Sequence, residues 1–222
     1  MATSRTTVVA LLLVLVVLLG LRAEVGGTAS SQSSGRPALT DQVKRAGLRF
    51  APGVAPGDQQ LVRSAIASAR PEARRLVELL DGLVTVDVGP ANSRAGDAVG
   101  VTRSGPEGFQ LTLDLASVWQ AAGMRGVERL VLHELGHVVD GEIVPPELER
   151  TLVAQVPLGY GCDPNEPTGA CAPPKERFAE TFAKWSTGDI GVNVPLGYKV
   201  LPPASLEDWG AQLVSGVRSS GS

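Results

Sequence analysis

The sequence predicts a single α+β domain, and three observations lead to it. Segments of helical periodicity stand on both sides of a short stretch that alternates strictly between apolar and polar residues. Setting aside a leader-like N-terminus leaves about 190 residues, enough for one proper core. No internal repeat breaks the chain into smaller units.

The N-terminus reads as a targeting segment. Arg5 precedes an unbroken apolar run from Val8 to Leu19, and small residues follow at Ala23 and from Gly26 to Ser30. A charged start, a short apolar stretch and a small-residue exit describe a secretory signal, assigned to residues 1–29. The run is short for a span, which takes about 20 apolar residues. An uncleaved signal anchor is the alternative, and only in that case would the protein meet a membrane. Residues 30–40, SSQSSGRPALT with its leading Ser30, read as a flexible linker. The domain is expected over residues 41–214, with a disordered tail over 215–222.

Within the domain, Asp58 can cap a helix through Leu61, Ile66 and Ala69, and Pro71 starts a second one. Leu83 to Val88 alternates and is β-branched, so it predicts a strand. Ala98–Thr102 and Phe109–Leu115 predict a hairpin around Ser104–Gly108. In the second strand Phe109, Leu111, Leu113 and Leu115 share one face, while Gln110, Thr112 and Asp114 share the other. A helix follows from about Val127 to Asp140, stopped by Gly141. Another runs from about Pro174 to Ser186, and a last short one from Leu206 to Val214.

The formal net charge of −3 is mild and both signs are dispersed. No Lys/Arg-rich run suggests a nucleic-acid partner or a polybasic membrane patch. Cys162 and Cys171 are the only two cysteines. In an exported protein they predict a local disulfide, worth about 2–3 kcal/mol by chain entropy. Their spacing does not suit a pair of zinc thiolates.

The segment that carries chemistry is Val131-Leu-His-Glu-Leu-Gly-His-Val-Val-Asp140. His133 and His137 are four apart, so on a helix they project from one face, one turn apart. Two imidazoles so placed can grip one metal ion, with Glu134 beside it to handle a proton. Both histidines of the chain fall in this motif. Val131, Leu135 and Val138 lie on the opposite side and can anchor the helix in the core.

A catalytic zinc needs a third protein ligand and leaves a position open to water. With no third histidine, a carboxylate must serve. The best source is Lys175-Glu-Arg-Phe-Ala-Glu-Thr-Phe-Ala-Lys-Trp185, where Glu176 and Glu180 share one face and Phe178, Phe182 and Trp185 the other. Such a pair can give one ligand and one partner that orients a ligating imidazole. Asp140 shares the histidine face, but so near along the same helix it suits an orienting role better than ligation.

HELGHVVD followed some forty residues later by ERFAETFA resembles the gluzincin metallopeptidases, and within them the anthrax lethal-factor type of catalytic domain. The resemblance spans about 80 residues. It implies a small zincin-like domain: a short sheet, and a motif helix packed against a second, Glu-bearing helix. It further implies one zinc ion held by His133, His137 and Glu176, with Glu134 as general base and Glu180 as support. It also implies an edge strand ahead of the motif helix for binding substrate, here Phe109, Gln110, Leu111, Thr112 and Leu113. The lethal-factor type carries a tyrosine shortly before the ligand glutamate; here that stretch is Thr168-Gly-Ala-Cys171, and Tyr160 farther upstream is the candidate for the oxyanion.

These readings give an exported, monomeric zinc endopeptidase acting on a peptide or protein, with no nucleic-acid partner. The alternative is an exported metal-binding or interaction domain of the same fold without turnover.

Overall fold

The structure is a computed structural model that describes residues 47–91, 98–163, 165, 167–191 and 197–220. The signal segment, the linker and the expected domain start at Asp41 lie outside them. All described residues belong to one compact unit, Leu39–Ser222. No helix among them is long and apolar enough to cross a membrane.

The domain is α+β, with six helices and a four-stranded sheet among the described residues. In chain order the elements are β1 (Arg49–Phe50), α1 (Pro56–Ser68), α2 (Pro71–Glu78), β2 (Val84–Val88), β3 (Gly100–Gly105) and β4 (Gly108–Leu113). Four helices follow: α3 (Leu115–Glu142), α4 (Pro146–Ala154), α5 (Pro174–Thr187) and α6 (Leu206–Ser220). Four of the six, α1, α2, α4 and α5, start on a proline at N1 or N2, where the missing N–H would have no helical partner anyway. Asp58 therefore lies inside the first turn of α1 rather than capping it.

The sheet order is β1-β2-β4-β3, with β1 and β4 parallel to β2, and β3 antiparallel to β4. The register pairs Val86 with Leu111 and Leu111 with Thr102, so these side chains share the face turned to the helices. Val84, Val86, Leu111 and Leu113 are fully buried on that face. α3 packs against β3 and β4 on one side and α5 on another, and α6 with α4 backs α5. Phe178 and Trp185 of α5 meet Trp209 of α6 in this core, and Phe182 packs on Trp185.

Four expectations change here. β4 stops at Leu113 because the Asp114 side chain accepts a hydrogen bond from the Ser117 N–H and caps α3. Leu115 thus opens a helix that begins twelve residues before the expected Val127; the helix kinks at Gly123, whose φ of 59° and ψ of −151° are not helical. The Gly141 stop is not used: α3 runs to Glu142. At the C-terminus α6 continues to Ser220, well into the stretch expected to be a disordered tail. Leu213 and Val217, one turn apart, both join the core and prolong the apolar stripe.

Candidate metal centre

α3 and α5 run antiparallel, and each carries a stripe of period four on the facing side. Arg129, His133 and His137 form one stripe; Glu176, Glu180 and Lys184 form the other. The stripes mesh. His137 Nε2 lies 3.4 Å from Glu176 Oε1, and His133 Nε2 lies 3.2 Å from Glu176 Oε2. His133 Nδ1 faces Glu180 Oε2 at 3.2 Å, and the Arg129 guanidinium donates to both Glu180 oxygens. Lys184 Nζ adds a contact of 3.3 Å to Glu180 Oε1.

The helices come this close because Gly136 faces Ala179. A Cβ on Gly136 would sit 2.9 Å from Ala179 Cα and 3.1 Å from its carbonyl oxygen. The small pair lies between the two histidines on α3 and between the two glutamates on α5.

Ligand atoms of His133, His137 and Glu176 all lie within 4.8 Å of one another, so the trio can hold a metal ion. Two ligand atoms about 2.05 Å from a tetrahedral ion stand about 3.3 Å apart, close to the two histidine–Glu176 separations. Glu180 on His133 Nδ1 is the partner that leaves Nε2 free for a metal. The donor set of two imidazoles and a carboxylate therefore fits a divalent metal ion. The histidine side chains are each 17 % exposed and Glu176 29 %, so the group opens to solvent on one side.

The electrostatics agree. Burial opposes charge on His133, but hydrogen bonds to Glu176 and Glu180 and the charges of Glu134 and Glu180 outweigh it and raise its pKa to about 10. Against their own burial, hydrogen bonds to His133 and His137 hold Glu176 well below the usual carboxylate range. His133 and Arg129 do the same for Glu180. The group draws positive charge.

Glu134 is buried, 4 % exposed, and turned towards β3. Its Oε2 accepts a 2.6 Å hydrogen bond from the Thr102 hydroxyl. Its Oε1 fills the space beside Gly100, where a Cβ would lie 2.3 Å away.

Asp140 is also buried, but no hydrogen bond joins it to His137, and its Oδ1 has no partner. Burial first, then the charge of Glu149, raise its pKa to about 6, with Lys175 and His137 opposing. A carboxyl group whose pKa is raised on folding stabilises the fold fully below its ordinary value of 3.8; that contribution is lost as pH rises through about 6. In chelator-treated protein, Asp140→Asn is expected to raise stability at pH 7.5 by on the order of 1–3 kcal/mol. The gain should vanish at pH 3.5. Equal urea midpoints for both proteins at pH 7.5 would contradict this.

Cys162 and Cys171 form the expected disulfide. Tyr160 is half exposed, its ring 5.8 Å from Lys199 Nζ, and no contact joins it to the metal-capable group. Beside Glu176 in the chain, Arg177 donates to the Val153 and Val156 carbonyls at the end of α4. The strand Phe109–Leu113 is not an edge. β4 is hydrogen-bonded to β2 on one side and β3 on the other, so Phe109, Gln110, Leu111, Thr112 and Leu113 have no free ladder to offer a substrate. The edge beside α3 is β3.

Sequence reasoning missed Thr102, Gly100, Arg129 and Lys184. Arg129 and Lys184 were within reach, since each extends a chemical stripe by one turn. Nothing in the sequence marks Gly100 or Thr102, because their role depends on which strand lies over α3.

No family model, no curated protein and no solved structure matches the chain.

Proposed function

We propose that the protein is an exported zinc-dependent endopeptidase of zincin-like fold. One observation carries this reading: the two imidazoles and the Glu176 carboxylate converge, with the Glu134 carboxylate on the same helix held under an edge strand. Binding a metal needs no carboxylate at position 134, whereas hydrolysis needs a base there. The disulfide and the leader-like N-terminus support export.

When bound, a zinc ion supplies Lewis acidity that polarises a scissile carbonyl and makes water a stronger nucleophile at neutral pH. The chain's own residues do the rest. His133, His137 and Glu176 hold the ion, and Glu180, braced by Arg129 and Lys184, fixes the His133 ring. Glu134 takes a proton from the attacking water and passes it to the leaving amine. An extended peptide adds to β3, which pairs only with β4 among the described residues. Main-chain hydrogen bonds on that edge hold a substrate without demanding one sequence.

A second reading, a metal-binding domain without turnover, draws on Tyr160: its ring is half exposed beside Lys199, and among the described residues no tyrosine contact to the ligand group is found. One experiment separates them. Protein purified without added metal should carry zinc at about one ion per chain by elemental analysis, the closed count of one three-ligand site. It should cleave a peptide library, lose that activity to a chelator and regain it with zinc. Zinc without cleavage favours the second reading; neither zinc nor cleavage ends both.

A further inference from the structure

We propose that Gly100 and Thr102 of β3 are positioning residues for Glu134, so that the strand offered to the substrate also sets the base. The inference deepens the peptidase reading and rests on it. Gly100 and Thr102 are two apart on one strand and therefore project to the same face, the one covering α3. Their register partners on that face are apolar, Leu111 beside Thr102 and Leu113 beside Gly100, both fully buried. A hydroxyl and a missing side chain stand over the Glu134 carboxylate.

Each does a separate job. The Thr102 hydroxyl donates to Oε2 at 2.6 Å, and the Glu134 backbone carbonyl, 3.2 Å from Thr102 Oγ1, is a second acceptor for the same proton. Gly100 provides room: a Cβ there would meet Oε1 at 2.3 Å, the carboxyl carbon at 2.9 Å and Leu130 Cδ1 at 2.6 Å. A buried carboxylate without its donor would lose a hydrogen bond and keep its desolvation penalty. The pair thus leaves Glu134 one well-defined pose. Because the same strand presents its other edge to a peptide backbone, substrate register and base position are set by one rigid element.

Thr102→Val keeps the β-branched shape and removes the donor; Thr102→Ser keeps the donor. Thr102→Val is expected to lower kcat about ten- to a hundredfold, the range of one hydrogen bond to a buried charged group. KM and zinc content should stay unchanged, and Thr102→Ser should recover most of the rate. Gly100→Ala should lower kcat while zinc content holds. A readout independent of turnover comes from urea midpoints: the shift caused by Thr102→Val should be clearly smaller in a Glu134→Ala background, where only the backbone carbonyl of residue 134 is left to accept from the hydroxyl. An active wild type with Thr102→Val unchanged in kcat, or the same midpoint shift in both backgrounds, overturns the positioning role alone. A wild type that binds zinc and hydrolyses nothing overturns the peptidase reading, and with it the role in turnover.

Discussion

Replacing Glu134 by glutamine is expected to remove peptide hydrolysis while leaving the metal in place. The amide matches the carboxylate in shape, and its carbonyl oxygen can still accept from Thr102, so the pose under β3 survives. None of the metal-capable donors is touched, because His133, His137 and Glu176 supply all three. What is lost is the ability to take a proton from water. General-base catalysis contributes about 10²–10⁴-fold, and kcat should fall by that much. The loss lies in the transition state, so KM should hold. Zinc stoichiometry by elemental analysis and kcat on one good library peptide check both halves. Undiminished hydrolysis in this variant would remove Glu134 as the base.

Gly136→Val is expected to have a comparably large effect by a different route. Its new Cβ would press on backbone atoms of α5, Ala179 Cα at 2.9 Å and Ala179 O at 3.1 Å, which no rotamer change can clear. α3 and α5 must separate. Overpacking of this kind costs about 1–3 kcal/mol of stability. Separation also draws Glu176 and Glu180 away from the imidazoles, and disturbing such supporting contacts lowers metal affinity by about 10–100-fold. Gly141→Ala on the same helix is the control. There the nearest atoms are Phe109 ring carbons at 3.6 and 3.7 Å, an ordinary contact, and the better helix propensity of alanine should make the change neutral or mildly stabilising. Chelator competition for zinc and urea midpoints would show the contrast; equal behaviour of the two variants would refute the close-packing argument.

The two histidines and the glutamate pair were legible in the sequence because their chemistry is written at fixed helical spacing, while the choice of Glu176 over Glu180 came only with the resemblance. His133 and His137 need only a helix to share a face, and Glu176 and Glu180 need only another. That one glutamate of the pair could orient a ligating imidazole followed from the same spacing, and the structure places Glu180 on His133 Nδ1. That Arg129 and Lys184 brace it did not follow, since two long cations on helices ordinarily point to solvent. Here both are buried, and both reach Glu180. The strand error has a plain cause. Alternation in Phe109–Leu113 reports one buried face, and it carries no information on whether a strand has one ladder partner or two. Pairing order is decided by the crossover that brings β2 alongside β4, a contact distant in sequence. The early start of α3 was hidden by Asp114, which suits both the wet face of a strand and the cap of a helix.

The Cys162–Cys171 bridge spans a sequence separation of only 9, inside the 43 residues that part His133 from Glu176. Shortening that larger excursion by so little changes its closure entropy by about 0.2 kcal/mol. The convergence of the two helices therefore owes almost nothing to the bridge, whose stiffening is spent on its own Gly/Pro-rich stretch. Recombinant protein made in a reducing cytosol, with both thiols free, should bind zinc as well as oxidised material does and differ mainly in how readily a protease nicks the loop ahead of α5.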